Sequence, residues 1–313
     1  MTAANKTIRL GARGSLLSRM QSAGVARELE KAHPGLKVEL VVVSTSGDQI
    51  QDRPLHEFGG KGLFTKELEL ALINGKVDFA VHSFKDVPVT MPLVDTSGLI
   101  MAAVPKREDA GDVLVSFAAR SLAELAPGAR VGTGSLRRQA QVLSPRPDIQ
   151  VMPIRGNVDT RIRKLKDGEF DAVILAMAGL KRAGLFDAAC MTVIDIRQML
   201  PAAGQGALAL QCRRDDHKTI ELLAMLNDAQ TATAVDMERE VIRLLKGDCH
   251  SPIGAYAQVI GEHMTLKANV AGRDGRPPVI WAETDVLAGH ESGAAAIVVK
   301  DLLNQGARKL LDD

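Results

Sequence analysis

The stretch ARVGTGSLRRQAQVL, residues 129–143, reads as a short apolar strand that passes through a Gly-Thr-Gly-Ser junction into a helix. Gly132 and Gly134 let the backbone turn closely, Ser135 is placed to cap the helix, and the free N–H groups of the first turn favour an anion. Such a strand–helix step is the building block of an open α/β sheet. The step recurs on both sides. Downstream, NVDTRIRKLKDG (157–168) reads as a helix, FDAVILAM (170–177) as a buried strand and AGLKRAG (178–184) as a short helix. Upstream, KTIRLGARG (6–14) reads as a strand entering a helix whose apolar positions Leu16, Met20, Ala23, Ala26 and Leu29 keep close to the helical period. LKVELVVVST (36–45) reads as a strand, LFTKELELALING (63–75) as a helix and VDFAVHS (77–83) as a strand. The alternation predicts two α/β units, each a parallel sheet covered by helices, with GALALQCR (206–213) as one further strand.

From about residue 229 the character changes. AVDMEREVIRLL (234–245) reads as a helix, and AYAQVIG (255–261), MTLKANVAG (264–272) and PVIWAETDV (278–286) alternate like antiparallel strands, with GRDG (272–275) as a turn. AAAIVVKDLLNQGARKLL (294–311) reads as one closing helix of a small α+β domain.

A chain of 313 residues exceeds the usual size of one core, so two or three domains are expected. With 39 basic against 38 acidic residues, the formal net charge of +1 demands no polyanionic partner, and 3% aromatic residues leave few platforms for stacked bases. No nucleic acid is expected as a partner. The polar start MTAANKTIRLG has no apolar signal core, and no run approaches the roughly 18 apolar residues of a membrane span. A cytoplasmic protein without a membrane partner is expected, and a monomer for want of an exposed apolar seam. The cysteines at 190, 212 and 249 are too scattered for a disulfide framework, and none forms the C-x-x-C pair of a zinc or redox site, so no metal is expected.

Charge gathers locally. Arg137, Arg138, Arg155, Arg161 and Arg163 fall within one short span, and open α/β sheets bind ligands at the carboxyl ends of their strands. Arg155 and Gly156 follow one strand end, with Arg161 one helical turn further. The first unit adds Arg13 and Ser15 in ARGS, and Lys85 with Asp86 in HSFKDVP, where Pro88 is expected to leave the pair on an exposed shoulder. A lone arginine near a loop is ordinary surface charge. A cluster matches a polycarboxylate, since each charged hydrogen bond contributes about 1.5–3 kcal/mol. HEFGGKGLF (56–64) is a glycine-rich loop carrying Lys61, with the composition of a lid or a phosphate cradle. LLKGDCHSPIG (244–254) places Cys249 on a turn among Gly, Asp, His, Ser and Pro, a poor setting for a thiol whose task is packing.

Taken in order, GGKGLFTKELE, DFAVHSFKDVPV, VGTGSLRRQAQ, RGNVDTR, DAVILAMAGLKRAGL, PAAGQGALALQCR and the cysteine turn make the chain resemble the porphobilinogen deaminase (hydroxymethylbilane synthase) family over essentially its whole length. The resemblance implies two doubly wound α/β domains of the periplasmic-binding-protein kind, 1–105 with 206–228 and 106–205, and a C-terminal α+β domain, 229–313. It implies a transferase that deaminates four porphobilinogen molecules and condenses them head to tail into hydroxymethylbilane. It implies one dipyrromethane cofactor per chain, held by a thioether at the position of Cys249. Asp86 is then the catalytic carboxylate beside the cation left by loss of ammonia. Arg13, Ser15, Lys85, Ser135, Arg137, Arg138, Arg155, Gly156, Arg161 and Arg182 would bind cofactor and substrate, and Lys61 would belong to a lid. The chain departs from the family's pattern at Gly14 and Leu16 around Ser15, and at Asp248, where Gly precedes the cysteine more commonly. A carboxylate there should disfavour the thiolate.

Two other classes remain to be weighed. A carboxylate receptor fits the arginines but leaves Asp86 and Cys249 without a task. A cysteine hydrolase pairing Cys249 with His250 or His82 lacks any triad spacing.

Overall fold

The computed structural model describes residues 6–45, 65–89, 98–248 and 250–312. The N-terminal part runs β1 (Lys6–Arg13), α1 (Leu16–Ala32), β2 (Leu36–Val43), α2 (Lys66–Ile73), β3 (Phe79–Ser83) and β4 (Leu99–Ala103). Next come β5 (Asp112–Val115), β6 (Arg130–Gly132), α3 (Leu136–Leu143), β7 (Gln150–Met152), α4 (Val158–Lys166), β8 (Ala172–Ala176), α5 (Met177–Arg182) and β9 (Met191–Ile194). The remainder is β10 (Leu208–Arg213), α6 (His217–Ala224), α7 (Ala229–Leu244), β11 (Ile253–Ile260), β12 (His263–Val270), β13 (Ile280–Leu287), α8 (Ala294–Asn304) and α9 (Ala307–Asp312). The chain divides into two units: Met1–Arg107 with Ala207–Ala232, and Glu108–Gly206 with Thr233–Asp313.

Among the described residues the first unit holds a sheet in the order β2-β1-β3-β10-β4. β1 runs parallel to β2 and β3, whereas β10 is antiparallel to both β3 and β4. The second unit repeats this plan in the order β7-β6-β8-β5-β9, with β5 antiparallel to both neighbours. The purely parallel sheets read from the strand–helix alternation are therefore mixed. β4 passes to β5 with no described helix between them, so β5 need not enter parallel to its new neighbours. An apolar run reports burial and not direction. The inner strands β5 and β8 are buried almost throughout, as strands covered on both faces must be.

The second unit also contains the antiparallel sheet β11-β12-β13. α8 packs on β12 and β13 and buries Ala294, Ala295, Val298, Val299 and Leu302, one helical stripe, while β12 buries Leu266, Ala268 and Val270. The closing helix is two helices: Gly306 takes φ +99°, a left-handed stop, and α9 starts at the next residue. Among the described residues no helix is long and apolar enough to cross a membrane.

Candidate functional site

In the first unit, β3 ends at Ser83 and a single 3-10 turn, Phe84–Asp86, follows. Phe84 N–H donates to Ala207 O (3.0 Å) and Val87 N–H to Phe84 O (3.2 Å), which fixes the turn between strand and loop. Lys85 and Asp86 are half-buried, not fully exposed, because the strand stops at the turn and not at Pro88. Arg13 is the last residue of β1, and Ser15 caps α1 by accepting from Ser18 N–H (3.3 Å).

His82, next to this turn, is buried with Nε2 2.9 Å from Gln211 Oε1, while Gln211 Nε2 donates to Glu69 Oε1 (3.4 Å). The amide's direction assigns the proton to Nε2. Burial, aided by the charge of Arg13, drops the His82 pKa to about 4, the hydrogen bond to Gln211 opposing the shift. His82 is a neutral core group at pH 7.

The second unit gathers cations around the N-terminus of α3. Ser135 caps it, its Oγ accepting from Arg138 N–H (3.4 Å). Arg137 and Arg138 are 4% and 6% exposed, so they lie in the core and not at an open loop. Their partner is Asp112, the wholly buried first residue of β5. Arg138 Nη2 and Nε donate to Asp112 Oδ1 (2.7 and 3.1 Å), Arg138 Nη1 donates to Ile174 O (2.9 Å), and Arg137 Nη1 lies 2.8 Å from Asp112 Oδ2. Burial alone would raise the Asp112 pKa, but the two guanidiniums outweigh it and hold the carboxyl well below the usual carboxylate range. Burial, with Arg138 alongside, lowers the pKa of Arg137. One carboxylate thus serves two buried cations, and Arg137 Nε is buried without a hydrogen-bond partner among the described residues.

Arg155 and Gly156 follow β7, and Arg161 lies on α4. Gly156 has φ +110°, and a Cβ there would come 2.6 Å from Thr160 Cγ2, so the loop needs glycine. Its carbonyl accepts from Arg161 Nε (2.9 Å). Burial first, then the charges of Arg138 and Arg155, lower the Arg161 pKa to about 10. Among the described residues no carboxylate pairs with Arg155 or Arg161. Arg182 ends α5 and donates from Nη2 to Gly206 O (2.8 Å).

The cysteine turn is described on both flanks of Cys249, which itself lies outside the described residues, as does Lys61. Lys246 takes φ +58°, and a Cβ on Gly247 would come 2.7 Å from Ile253 Cδ1. Asp248 Oδ1 accepts from His250 N–H (2.9 Å), Ser251 N–H (3.0 Å) and Ser251 Oγ (3.0 Å). Partial burial pushes the Asp248 carboxyl up, but these hydrogen bonds outweigh it and leave the pKa lowered. The carboxylate is thus committed to shaping the turn.

Sequence reasoning missed Asp112. Its signal is a carboxylate heading the wholly apolar run VLV, which at that depth needs a cation. The arrangement makes a clear distinction between the arginines. Arg138→Leu should cost about 3 kcal/mol of unfolding free energy in urea, because Asp112 loses its main partner. Arg161→Leu should change stability by less than about 1 kcal/mol, since no described carboxylate is orphaned and a like-charge contact is relieved, yet should lower turnover at least tenfold. Similar stability losses in both variants would refute the distinction.

The family model described as "Porphobilinogen deaminase, dipyromethane cofactor binding domain" matches residues 8–221, and that described as "Porphobilinogen deaminase, C-terminal domain" matches residues 232–304. The porphobilinogen deaminase of Syntrophobacter fumaroxidans is 44% identical over 316 residues, covering 99% of this chain and 98% of its own. That of Trichlorobacter lovleyi is 45% identical over 313 residues, covering 99% and 97%. A solved periplasmic VFT2 domain of Bordetella pertussis BvgS overlays 70% of this chain and 86% of its own at 16% identity and a TM-score of 0.37.

Proposed function

This chain belongs to the porphobilinogen deaminase family, with that activity and a dipyrromethane cofactor-binding domain, and from that premise we propose which residues do the work. Cys249 carries the dipyrromethane through a thioether, one per chain. Asp86 is the catalytic carboxylate. Arg13, Lys85, Arg137, Arg138, Arg155, Arg161 and Arg182 hold the acetate and propionate groups of cofactor and substrate, Ser15, Ser135 and the Gly156 backbone assist them, and Lys61 belongs to a lid. The product is hydroxymethylbilane, from four porphobilinogen molecules.

The observation that carries this reading is the surplus of positive charge in the second unit. Arg137 and Arg138 share Asp112, and among the described residues Arg137 Nε has no hydrogen-bond partner and Arg155 and Arg161 meet no carboxylate. Buried and half-buried cations need anions, and a ligand bearing several carboxylates supplies them. When bound, the dipyrromethane supplies the pyrrole carbon to which the first substrate is joined. The chain's own task is electrostatic. The arginines bind and orient carboxylates, and Asp86 offsets the positive charge that grows on porphobilinogen as ammonia leaves. A receptor would need the arginines but not Asp86.

We read three domains with the boundaries 1–105 with 206–228, 106–205 and 229–313, in a monomeric cytoplasmic enzyme. Support for the division comes from a separate sheet in each part. The test of the whole reading is intact mass under denaturing conditions. A covalent excess of two deaminated pyrrole units is expected, mapping to the peptide with Cys249; an unmodified chain that still turns over porphobilinogen would refute the anchor.

A further inference from the structure

The loop Leu200–Gly206, between β9 and β10, contains no charged side chain, yet its polar groups are spent on two sides. On one side are the arginines. Leu200 O accepts from Arg137 Nη1 (2.5 Å), and Gly206 O accepts from Arg182 Nη2 (2.8 Å). Gln205 Nε2 donates to Asp112 Oδ1 (2.8 Å), the same oxygen that holds Arg138 (2.7 Å).

On the other side are the elements that flank the cysteine turn. Pro201 O accepts from Ala255 N–H (3.0 Å) on β11, just after the turn. Gly204 N–H donates to Glu238 Oε2 (2.7 Å) on α7, just before it, and the other oxygen of Glu238 accepts from Ala257 N–H (2.8 Å). Leu200 N–H donates to Gln141 Oε1 (2.7 Å), which also accepts from Asn269 Nδ2 (2.8 Å), and Asn269 Oδ1 accepts from Gly254 N–H (3.0 Å).

Gln205, Glu238 and Asn269 are at most 1% exposed, so each of these bonds is shielded from water. The loop's path also resists change: Gly206 has φ +88°, and a Cβ there would come 2.3 Å from Glu108 O. The geometry points to a brace. We propose that Leu200–Gly206 sets the spacing between the cysteine turn and the guanidiniums of Arg137, Arg138 and Arg182, and that Gln205 and Asn269 are positioning residues for the reaction. The inference rests on the reading of Cys249 as anchor and of these arginines as carboxylate ligands. Misplacing a binding group by about 1 Å can cost on the order of a hundredfold in rate, so spacing is what such a brace would protect.

The test uses full-length Gln205→Met and Asn269→Ala, loaded by preformed hydroxymethylbilane, checked by intact mass, and assayed with porphobilinogen well below each melting temperature. Each variant should load its cofactor yet show kcat reduced about tenfold and KM raised severalfold. The double variant should lose less than the product of the two effects, since both act through one loop. Lower melting temperatures with kcat and KM unchanged would make both residues merely structural and overturn the brace. Should Gln205→Met fail to fold, Asn269→Ala decides alone by the same readout. Arg182→Leu separates the two levels: full activity in it removes the reading beneath the proposal, while a crippled Arg182→Leu beside unaffected Gln205→Met and Asn269→Ala removes the brace alone.

Discussion

Cys249→Ser is expected to fold, to carry no covalent pyrrole and to turn over porphobilinogen at background level. The thiolate is the nucleophile in sulfur chemistry, and a serine hydroxyl at neutral pH is a far weaker one. Cys190 and Cys212 serve as internal controls. Both are buried, and burial raises their thiol pKa values, that of Cys212 to about 11. Such thiols are inert. Cys190→Ser and Cys212→Ser should keep the full adduct and full turnover per folded molecule, at most with a loss of stability from burying a hydroxyl. Intact mass and a porphobilinogen-consumption assay on the three variants decide the matter. A complete adduct and normal turnover in Cys249→Ser would eliminate the anchor.

Asp86→Asn is expected to bind porphobilinogen and to condense it more slowly by a factor on the order of 10² or more, as loss of one preorganised electrostatic group can cost. Loss of ammonia turns a neutral pyrrole into a cation. In the role proposed for it, the Asp86 carboxylate at the end of the 3-10 turn after β3 would favour that charge more in the transition state than in the ground state. Asparagine keeps the size and the hydrogen bonding and removes only the charge. Loaded with preformed product and mixed with substrate for a single turnover, wild type should accumulate one-, two- and three-unit adducts quickly by mass spectrometry, and the variant slowly. Equal rates would reassign Asp86 to positioning or to an ion pair with Lys85.

The sequence carried the sheet-and-helix plan well, because covered strands such as AVILA at 172–176 are apolar throughout and bounded by turns. It did not carry strand direction. β5 and β10 look like their parallel neighbours, since burial on both faces erases any mark of orientation. Periodicity alone gives one closing helix because the apolar pattern continues past Gly306, whose left-handed backbone breaks it. The arginines proposed for the site are legible by type but not by depth. α3 turns Arg137, Arg138 and Gln141 inward with Ala140 and Val142, so its buried face is partly polar, and polarity along the chain then signals solvent wrongly. Their depth depends on Asp112, which lies 25 positions before Arg137 in the chain and meets it only through tertiary folding.

The two five-stranded sheets also differ in when they can close as the chain emerges from the ribosome. Every strand of β7-β6-β8-β5-β9 comes from one continuous span, Asp112–Ile194. The N-terminal sheet has no such independence: among the described residues β4 joins it only through β10, whose residues 208–213 follow that entire span. Until β10 is synthesised, β3 lacks its partner on that side and β4 has none among the described strands of its sheet, a state with open, apolar strand edges that favours mispairing. The order of closure is therefore the reverse of the order of synthesis. A released fragment ending near residue 200 should protect β6 and β8 from hydrogen exchange while β3 and β4 still exchange.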